Sequence, residues 1–439
     1  MDTLFSNISV VTMNEIMEVL TDAFVGVTEG KISYISKKPP EEQPAQIVDG
    51  TGMVLMPGLI NCHTHLTRTL FRGWADDCDE KTRLAERLYP REELMDARAA
   101  KAAALLGIAE SLRFGVTSVS DLSEQIDAVA QAAAESGIKA NAARSTTMYL
   151  GEDFDFETYP ACQELVAAVE AWHGHDDGRI KIDAAIQGEY TSDHHLWDAL
   201  SEYAVNTGLG MQLHLSETAS EHEDCLDRTG LTPAQVLDCH GIFSVPAQAA
   251  RCGHLEQEDL RLLAKRGVSA VVCPLADQKL AVGQADLMAM VRAGMNVALG
   301  TESADCGNTL DLFAQMKAAA LQAKARSGDP EAVAAPAALL LATVCGARAQ
   351  GRSKACGMIK LGYDADLVMV DFTQPHLIPC HNIINNLVYA ASGRDVVMTM
   401  VRGKILYAAG KYTTIDMNAL MKELAEHAMP TVFREIEEE

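Results

Sequence analysis

The sequence of 439 residues has few basic residues for its content of acidic ones. Lysine and arginine together number 36, against 61 aspartates and glutamates, which gives a formal net charge of −25. Nucleic acids and anionic membrane surfaces attract proteins with the opposite balance, so neither is an expected partner. Any basic residue close to a candidate site is therefore locally unusual.

Signals for export or membrane insertion are also lacking. The N-terminus has neither a basic region nor the apolar core of a signal peptide. The most apolar long stretch, 332–347, contains Pro336 and Gly346, which predicts a buried helix and not a membrane span. The 11 cysteines are odd in number and have no paired spacing, which is typical of reduced thiols. We therefore expect a cytoplasmic protein.

Two signatures of cofactor and substrate are absent as well. No Gly-x-Gly-x-x-Gly motif follows the first strand of the middle segment, which disfavours a dinucleotide site. The nucleobase-deaminase signature, His-x-Glu with Pro-Cys-x-x-Cys, does not occur either. At 48% hydrophobic and 22% charged residues the chain can nevertheless bury a large core. The sequence therefore predicts a large folded protein that has neither a dinucleotide site nor the nucleobase-deaminase signature.

The middle of the chain alternates strand patterns with helical ones. Several strands follow a glycine that is typical of a helix end, as at Gly137 and Gly267. Eight strand–helix units over about 300 residues favour a (β/α)8 TIM barrel over an open doubly wound sheet. The eight predicted strands are 59–65, 116–120, 140–144, 180–186, 211–215, 249–252, 268–273 and 297–300.

Short strand patterns occupy both ends of the chain. Residues 1–57 contain several, and more follow in 365–407. Neither end is long enough for a core of its own, so we predict one small β-sandwich built from both ends. Its N-terminal part is 1–57 and its C-terminal part, with a final helix, is 358–439. The barrel, 58–357, is inserted between them.

His63 and His65 end the first barrel strand after an apolar run and a Pro-Gly break. Residues i and i+2 of a strand share a face, so the two imidazoles project together. The alternative is a pair of ordinary polar residues at a strand end. His214 lies at the tip of the fifth strand and is the candidate third ligand; alternatively it is a core histidine. Three histidines on a barrel would leave a metal position open for water.

Carboxylates follow two of these strand ends. Glu217 lies just beyond His214 and could move the proton of a water; alternatively it is a helix-start residue. Glu302 ends the eighth strand, where it could ligate the metal or accept a proton. The fourth strand ends at Gln187 and not at a lysine, so a carboxylated-lysine bridge between two metals is not expected. We therefore predict a single metal ion.

These motifs resemble those of the amidohydrolase superfamily, within the branch of methylthioadenosine and S-adenosylhomocysteine deaminases and s-triazine hydrolases. The resemblance runs nearly end to end. It rests on the stretches PGLINCHTH at 57–65, LFRGWADD at 70–77, LHLSET at 213–218, NVALGT at 296–301 and IKLGYDADLV at 359–368.

The resemblance implies a barrel carried by a β-sandwich, with one divalent metal on His63, His65 and His214. Zn²⁺ is the first choice, with Fe²⁺ and Mn²⁺ as alternatives. It further implies attack by activated water on an aromatic carbon that bears an amino group. Glu217 would protonate the ring nitrogen. Two more residues would bind substrate: Glu92 would contact ribose hydroxyls, and Arg144 would contact the substrate from the third strand.

Three residues depart from the family pattern at the expected site. Glu302 stands where the family has aspartate, Arg251 where it has the histidine of the sixth strand, and Gln187 where it has a substrate-binding histidine. His254 is close to the missing histidine, and a β-bulge would be needed to bring it into that place. We predict that Arg251 and Glu302 form a buried pair; the alternative is that Arg251 points to solvent while Glu302 ligates the metal.

Three functions remain open. The first is a metal-dependent hydrolytic deaminase of an adenosine-like or other aminated N-heterocycle. The second is a related hydrolase that releases another leaving group or opens a ring, similar to the s-triazine hydrolases. The third is a member that has lost its metal or its hydrolytic activity because of Arg251 and Glu302. We rank them in that order, and we expect a homo-oligomer with a small heterocyclic substrate.

Overall fold

Eight parallel strands form the centre of the fold. A computed structural model describes residues 1–79, 82–148, 151 and 153–435. Each strand pairs with the next one along the chain, as a barrel requires. The barrel strands, one to eight, are Leu59–Thr64, Val116–Ser123, Lys139–Arg144, Ile180–Ala185, Met211–Leu215, Ala247–Arg251, Ser269–Val272 and Asn296–Leu299.

The eighth strand returns to the first and nearly closes the barrel. The backbone amides of Thr301 and Glu302 donate to the carbonyl of His63 at 3.1 and 3.2 Å. Gly300 permits this approach, since a Cβ there would lie 2.8 Å from the Cβ of His63. The predicted (β/α)8 barrel is confirmed.

Helices cover the outside of the barrel. Gly137 and Gly267 end two of them in the left-handed conformation, at φ 86° and 74°, as their sequence positions predict. The helices of ten or more residues are Ala97–Arg113, Ile126–Ser136, Pro160–Trp172, His194–Thr207, Ala219–Thr229, Gln257–Arg266 and Leu312–Ser327. The α-helices of six or seven residues are Pro233–Cys239, Pro274–Leu280, Leu287–Arg292, Ala335–Leu341, Val344–Ala349, Ile383–Tyr389 and Met417–Glu423.

The stretch 332–347 differs from its prediction as one buried helix. It forms two short helices that meet near Thr343, whose backbone angles, φ −129° and ψ −87°, are not helical. In the described part of the chain, no helix has the length and apolar character needed to cross a membrane.

Both chain ends contribute to a second, mixed sheet. Met53–Pro57 pairs antiparallel with Leu367–Asp371 and so joins the N-terminal strands to the C-terminal ones. Phe5, Leu55 and Leu367 belong to an apolar cluster drawn from both ends. The sheet strands are Thr3–Val11, Val19–Thr28, Lys31–Ser36, Gln46–Asp49, Met53–Pro57, Leu367–Asp371, Val396–Val401, Lys404–Ala408 and Lys411–Tyr412. A separate sheet built from the two ends is therefore confirmed, whereas the domain limits at 57 and 357 stay predictions.

A buried ion pair joins the sheet to the bottom of the barrel. Lys139 begins the third barrel strand, and its ammonium contacts Asp364 Oδ2 at 2.6 Å and also the carboxylate of Asp366. The side chains of Lys139 and Asp366 are each 2% exposed. The opposite, C-terminal end of the barrel is thereby left free for chemistry, as is usual in this fold.

Candidate active site

The backbone is strained where three barrel strands end. Ser216, Arg251 and Glu302 have φ values of 47°, 73° and 57°, a region that residues with a side chain rarely adopt. They follow or end the fifth, sixth and eighth strands. Strain of this kind persists where the surrounding structure enforces it, and it is concentrated at functional sites. The top of the barrel therefore carries backbone strain of the kind found at functional sites.

Four side chains converge there from the first, fifth and eighth strands. The ligand atoms of His63, His65, His214 and Glu302 all lie within 4.8 Å of one another, and all four residues are buried. Glu302 Oε2 is 2.6 Å from His63 Nε2, and Glu302 Oε1 is 3.3 Å from His65 Nε2. The Nε2 atoms of His63 and His214 are 3.1 Å apart. The structure thus brings together all four residues predicted to bind the metal.

This group fits a divalent transition metal. His65 Nε2 and Glu302 Oε2 are buried but make no hydrogen bond of suitable geometry with the described residues. Burial lowers the pKa of His63 and lowers that of His65 to about 3, so both imidazoles are neutral, as metal ligands must be. Three imidazoles and one carboxylate are a donor set that suits Zn²⁺.

The orientation of His214 also suits a ligand. Its Nδ1 lies 2.7 Å from the backbone carbonyl of Gln187, so this nitrogen carries the proton and donates it to the carbonyl. In the neutral form that binds a metal, Nε2 is then the lone-pair nitrogen, and it faces the other three side chains. Hydrogen bonds of this kind commonly fix the tautomer of metal-binding histidines.

Glu217 lies next to this group but binds Arg251. Its Oε1 is 2.7 Å from Arg251 Nη1, and Arg251 Nε donates to Asp277 Oδ1 at 2.5 Å. The guanidinium lowers the pKa of Glu217 despite the opposing effect of burial. Thr218, not Glu217, caps the following helix, Ala219–Thr229, so Glu217 lies just before the helix and its carboxylate makes the ion pair with Arg251.

The predicted pairing of Arg251 with Glu302 is therefore wrong. Arg251 is only 1% exposed, so the alternative in which it points to solvent is wrong as well. Glu302 instead faces the imidazoles, as that alternative supposed. Arg251 reaches Asp277, a residue of the helix after the seventh strand that sequence reasoning missed. Arg251 thus contacts two carboxylates, those of Glu217 and Asp277, while Glu302 lies among the imidazoles. A divalent cation there would balance the two negative charges by which these three carboxylates exceed the one guanidinium.

A second carboxylate fixes the backbone of Glu217. Glu221 accepts the amide hydrogens of Ser216 at 3.1 Å and of Glu217 at 2.5 Å. Burial raises the pKa of Glu221 to about 7. Sequence reasoning missed Glu221; its position four residues after Glu217, at the start of a helix, is the signal that could have found it.

A cavity of about 480 Å³ opens beside His65. Its size is in the range of small-molecule sites. Gln187 lines it and accepts a hydrogen bond from the hydroxyl of Ser145, and Glu92 lines it from the first loop. The other lining residues are Thr67, Arg68, Leu84, Ala85, Tyr89, Glu93, Leu122, Ser123, Glu124, Thr147, Tyr190 and Thr191.

The structure does not bring Arg144, which was predicted to contact the substrate, to this cavity. Its Nε lies 2.7 Å from Glu164 Oε2, and it lines a different groove on the outside of the barrel. The last residue of a strand can turn to either side of the barrel wall, and here the side chain turns outward. The implied contact between Arg144 and a substrate in the cavity does not agree with this placement.

His254 does not replace the missing histidine of the sixth strand. Its Nε2 lies 2.7 Å from the carbonyl of Val282, away from the four converging side chains. The β-bulge alternative is therefore wrong. His194 and His195 are exposed and lie with the half-buried Asp193 at a helix start.

Comparisons with known proteins identify the family of this chain. The model of the amidohydrolase family matches residues 54–406. A 5-methylthioadenosine/S-adenosylhomocysteine deaminase from Moorella thermoacetica is 35% identical over 411 residues, which are 93% of this chain and 95% of the relative. A zinc-bound adenosine deaminase structure from Xanthomonas campestris has a TM-score of 0.90 at 31% identity and covers 97% of both chains.

A zinc complex of atrazine chlorohydrolase from Arthrobacter aurescens has the same fold, with a TM-score of 0.88 at 22% identity, and covers 97% of this chain and 99% of its own. The family match spans most of the chain, and the relative from Moorella is similar over almost its whole length. The resemblance inferred from the sequence motifs is therefore confirmed. The chain belongs to the amidohydrolase family and is a hydrolase that acts on carbon–nitrogen bonds.

Proposed function

We propose that this protein is a metal-dependent hydrolytic deaminase of an aminated N-heterocycle, with adenosine-like compounds such as methylthioadenosine or S-adenosylhomocysteine as the first candidates. The observation that carries the proposal is the buried group of His63, His65, His214 and Glu302 beside a cavity, with Glu217 next to it. The names of the relatives from Moorella and Xanthomonas support deamination and an adenosine-like substrate.

His63, His65, His214 and Glu302 would hold one divalent ion, for which we propose Zn²⁺. When bound, such an ion lowers the pKa of a water and so supplies a nucleophile at neutral pH. The zinc in the neighbouring structures supports this choice of metal. Water replaces the amino group at a ring carbon, so that the amino compound and water give the oxo compound and ammonia.

Glu217 would carry the proton in this reaction. Its contact with Arg251 keeps it ionised in the resting protein, so it can accept the proton of the attacking water. It can then deliver that proton to the heterocycle or the leaving nitrogen. Gln187, which lines the cavity beside His65, would bind the heterocycle through its side-chain amide. Glu92 would bind the distal part of the substrate, since it lines the cavity from the first loop.

The direct test is metal analysis of the purified protein followed by an ammonia-release screen on the same sample. The screen would include methylthioadenosine, S-adenosylhomocysteine, adenosine, guanine and cytosine. It would also include one chlorinated and one alkylamino s-triazine, because a related hydrolase would release chloride or an alkylamine from these instead. Metal-loaded protein that releases ammonia from an adenosine-like compound is the expected result. Protein without metal and without turnover would contradict the proposal.

We also propose that the protein is cytoplasmic and homo-oligomeric. Eleven cysteines without a disulfide among the described residues support a reducing compartment. Light scattering during gel filtration would test the oligomeric state, and fractionation of the native host would test the location.

A further inference from the structure

The contact between Glu217 and Arg251 extends to a third buried residue. Asp277 lies in the first turn of the helix Pro274–Leu280, directly after the seventh barrel strand. Its Oδ1 accepts from Arg251 Nε at 2.5 Å, while Arg251 Nη1 reaches Glu217 Oε1 at 2.7 Å. The side chains of Asp277 and Arg251 are 4% and 2% exposed. The three residues form a continuous chain of charged contacts from the seventh strand to Glu217.

The guanidinium of Arg251 links the position of Asp277 to that of Glu217 because it is rigid and planar. The Nε and Nη1 groups of one guanidinium have fixed relative directions, so anchoring Nε fixes where Nη1 points. The backbone of Arg251 is held in the left-handed region, at φ 73°, which directs the side chain between the two carboxylates. Nη2 is buried and has no hydrogen-bond partner among the described residues. Within that part of the chain, the guanidinium is therefore oriented by its contacts with Asp277 and Glu217.

Without Asp277, the guanidinium would lose the contact that orients it. The side chain of Arg251 has several rotatable bonds, and the carboxylate of Glu217 alone does not prevent rotation about them. Glu217 would keep its backbone anchor on Glu221 but would lose the fixed direction of its carboxylate. A displacement of about 1 Å at a reacting group can lower a rate about a hundredfold.

We propose that Asp277 is a positioning residue of the active site, which acts through Arg251 to hold the carboxylate of Glu217 in the orientation needed for proton transfer. This inference rests on the proposed role of Glu217 in a hydrolytic deaminase. Asp277 itself needs no contact with the substrate or the metal. Its substitution should therefore change the rate of turnover much more than substrate or metal binding.

The test uses the variants Asp277→Asn, Asp277→Glu and Arg251→Met, alone and as the double variant R251M/D277N. Asp277→Asn removes the charge at nearly constant volume. It should lower kcat at least about tenfold, leave KM within about twofold and leave the metal content unchanged. Asp277→Glu should recover part of the lost kcat, since it keeps a carboxylate. The double variant should lose no more kcat than R251M alone, because both changes act through one chain of contacts.

Asp366→Asn is the matched control. Asp366 is an equally buried aspartate paired with Lys139 at the opposite end of the barrel, so this variant should lower the melting temperature without lowering kcat. The inference is overturned if D277N lowers the melting temperature as D366N does but keeps the wild-type kcat, or if D277N loses metal.

A failure of the proposed function gives a different result. In that case the metal-loaded wild-type protein releases ammonia from no compound of the screen. The chain of contacts is then tested by melting temperatures alone. The decreases in melting temperature of R251M and D277N should sum to more than the decrease in the double variant, whereas additive decreases would overturn the inference.

Discussion

Arg68 and Glu92 form a two-pronged ion pair in the wall of the cavity. Arg68 Nε donates to Glu92 Oε1 at 2.7 Å, and Nη2 donates to Oε2 at 3.0 Å. Both oxygens of Glu92 are thus occupied by one guanidinium. A substrate that binds Glu92 therefore has to share this carboxylate with Arg68. The ion pair, and not Glu92 alone, forms this part of the cavity wall.

The pair should be visible in stability measurements. The two side chains are 9% and 13% exposed, so removal of one partner leaves a largely buried charge without compensation. Each of Arg68→Met and Glu92→Gln should lower the free energy of unfolding by about 3 kcal/mol, the low end for buried pairs. The double variant should lose less than the sum of the two in urea unfolding. Additive losses would show that the two side chains do not interact in solution.

Metal content should depend on each of the three histidines. His63→Ala, His65→Ala and His214→Ala each remove a buried donor that faces the same point, so each should lose most of the bound metal. Elemental analysis of dialysed protein measures this directly. His254→Ala is the control, because His254 also follows a barrel strand but faces the carbonyl of Val282. Full metal retention in H214A, or equal loss in H254A, would contradict the assignment.

Glu217 should be required for turnover but not for the metal. Glu217→Gln keeps the size of the side chain and removes its ability to accept a proton, so ammonia release should fall at least about a hundredfold. Its metal content should stay at the wild-type level, since Glu217 is not among the four converging residues. Glu223→Gln, an exposed residue of the following helix Ala219–Thr229, is the control and should retain most activity. Unchanged turnover in E217Q would remove Glu217 from the reaction.

Glu221 should make stability depend on pH. Burial raises its pKa to about 7 in the folded protein, above its value in the unfolded chain. The folded state therefore binds a proton more strongly, so this group favours folding below about pH 4.5 and loses that contribution as pH rises through about 7. Glu221→Gln cannot titrate. The difference in melting temperature, that of E221Q minus that of the wild type, should therefore increase between about pH 5 and pH 8. A constant difference would show that the pKa of Glu221 is not raised.

The positions of the candidate metal-binding residues were predictable because each depends on a local pattern. His63 and His65 share a strand face at spacing two, and an apolar alternation places His214 at a strand tip. Once eight strand–helix units are recognised, the geometry of a barrel brings all strand ends to one place. The same logic included Glu302, whose one extra methylene relative to aspartate does not prevent it from reaching the imidazoles.

The partners of charged side chains were not predictable in this way. Arg251 was expected to meet Glu302, yet it meets Glu217 and Asp277. A strand pattern specifies which end of the barrel a residue occupies, but the direction of a long side chain depends on its backbone angles and on the charges packed around it. No periodic pattern in the sequence indicates the positive φ of Arg251.

The sequence by itself determined the barrel, the sheet drawn from both chain ends and the donor residues of the candidate metal site, because these follow from hydrophobic periodicity and strand order. Only the tertiary structure decided that Arg144 turns outward to Glu164, that Arg68 occupies Glu92 and that Asp277 anchors Arg251. Each of these contacts joins residues from different secondary-structure elements. Their choice depends on distances of a few ångströms and on burial, which exist only once the chain has folded.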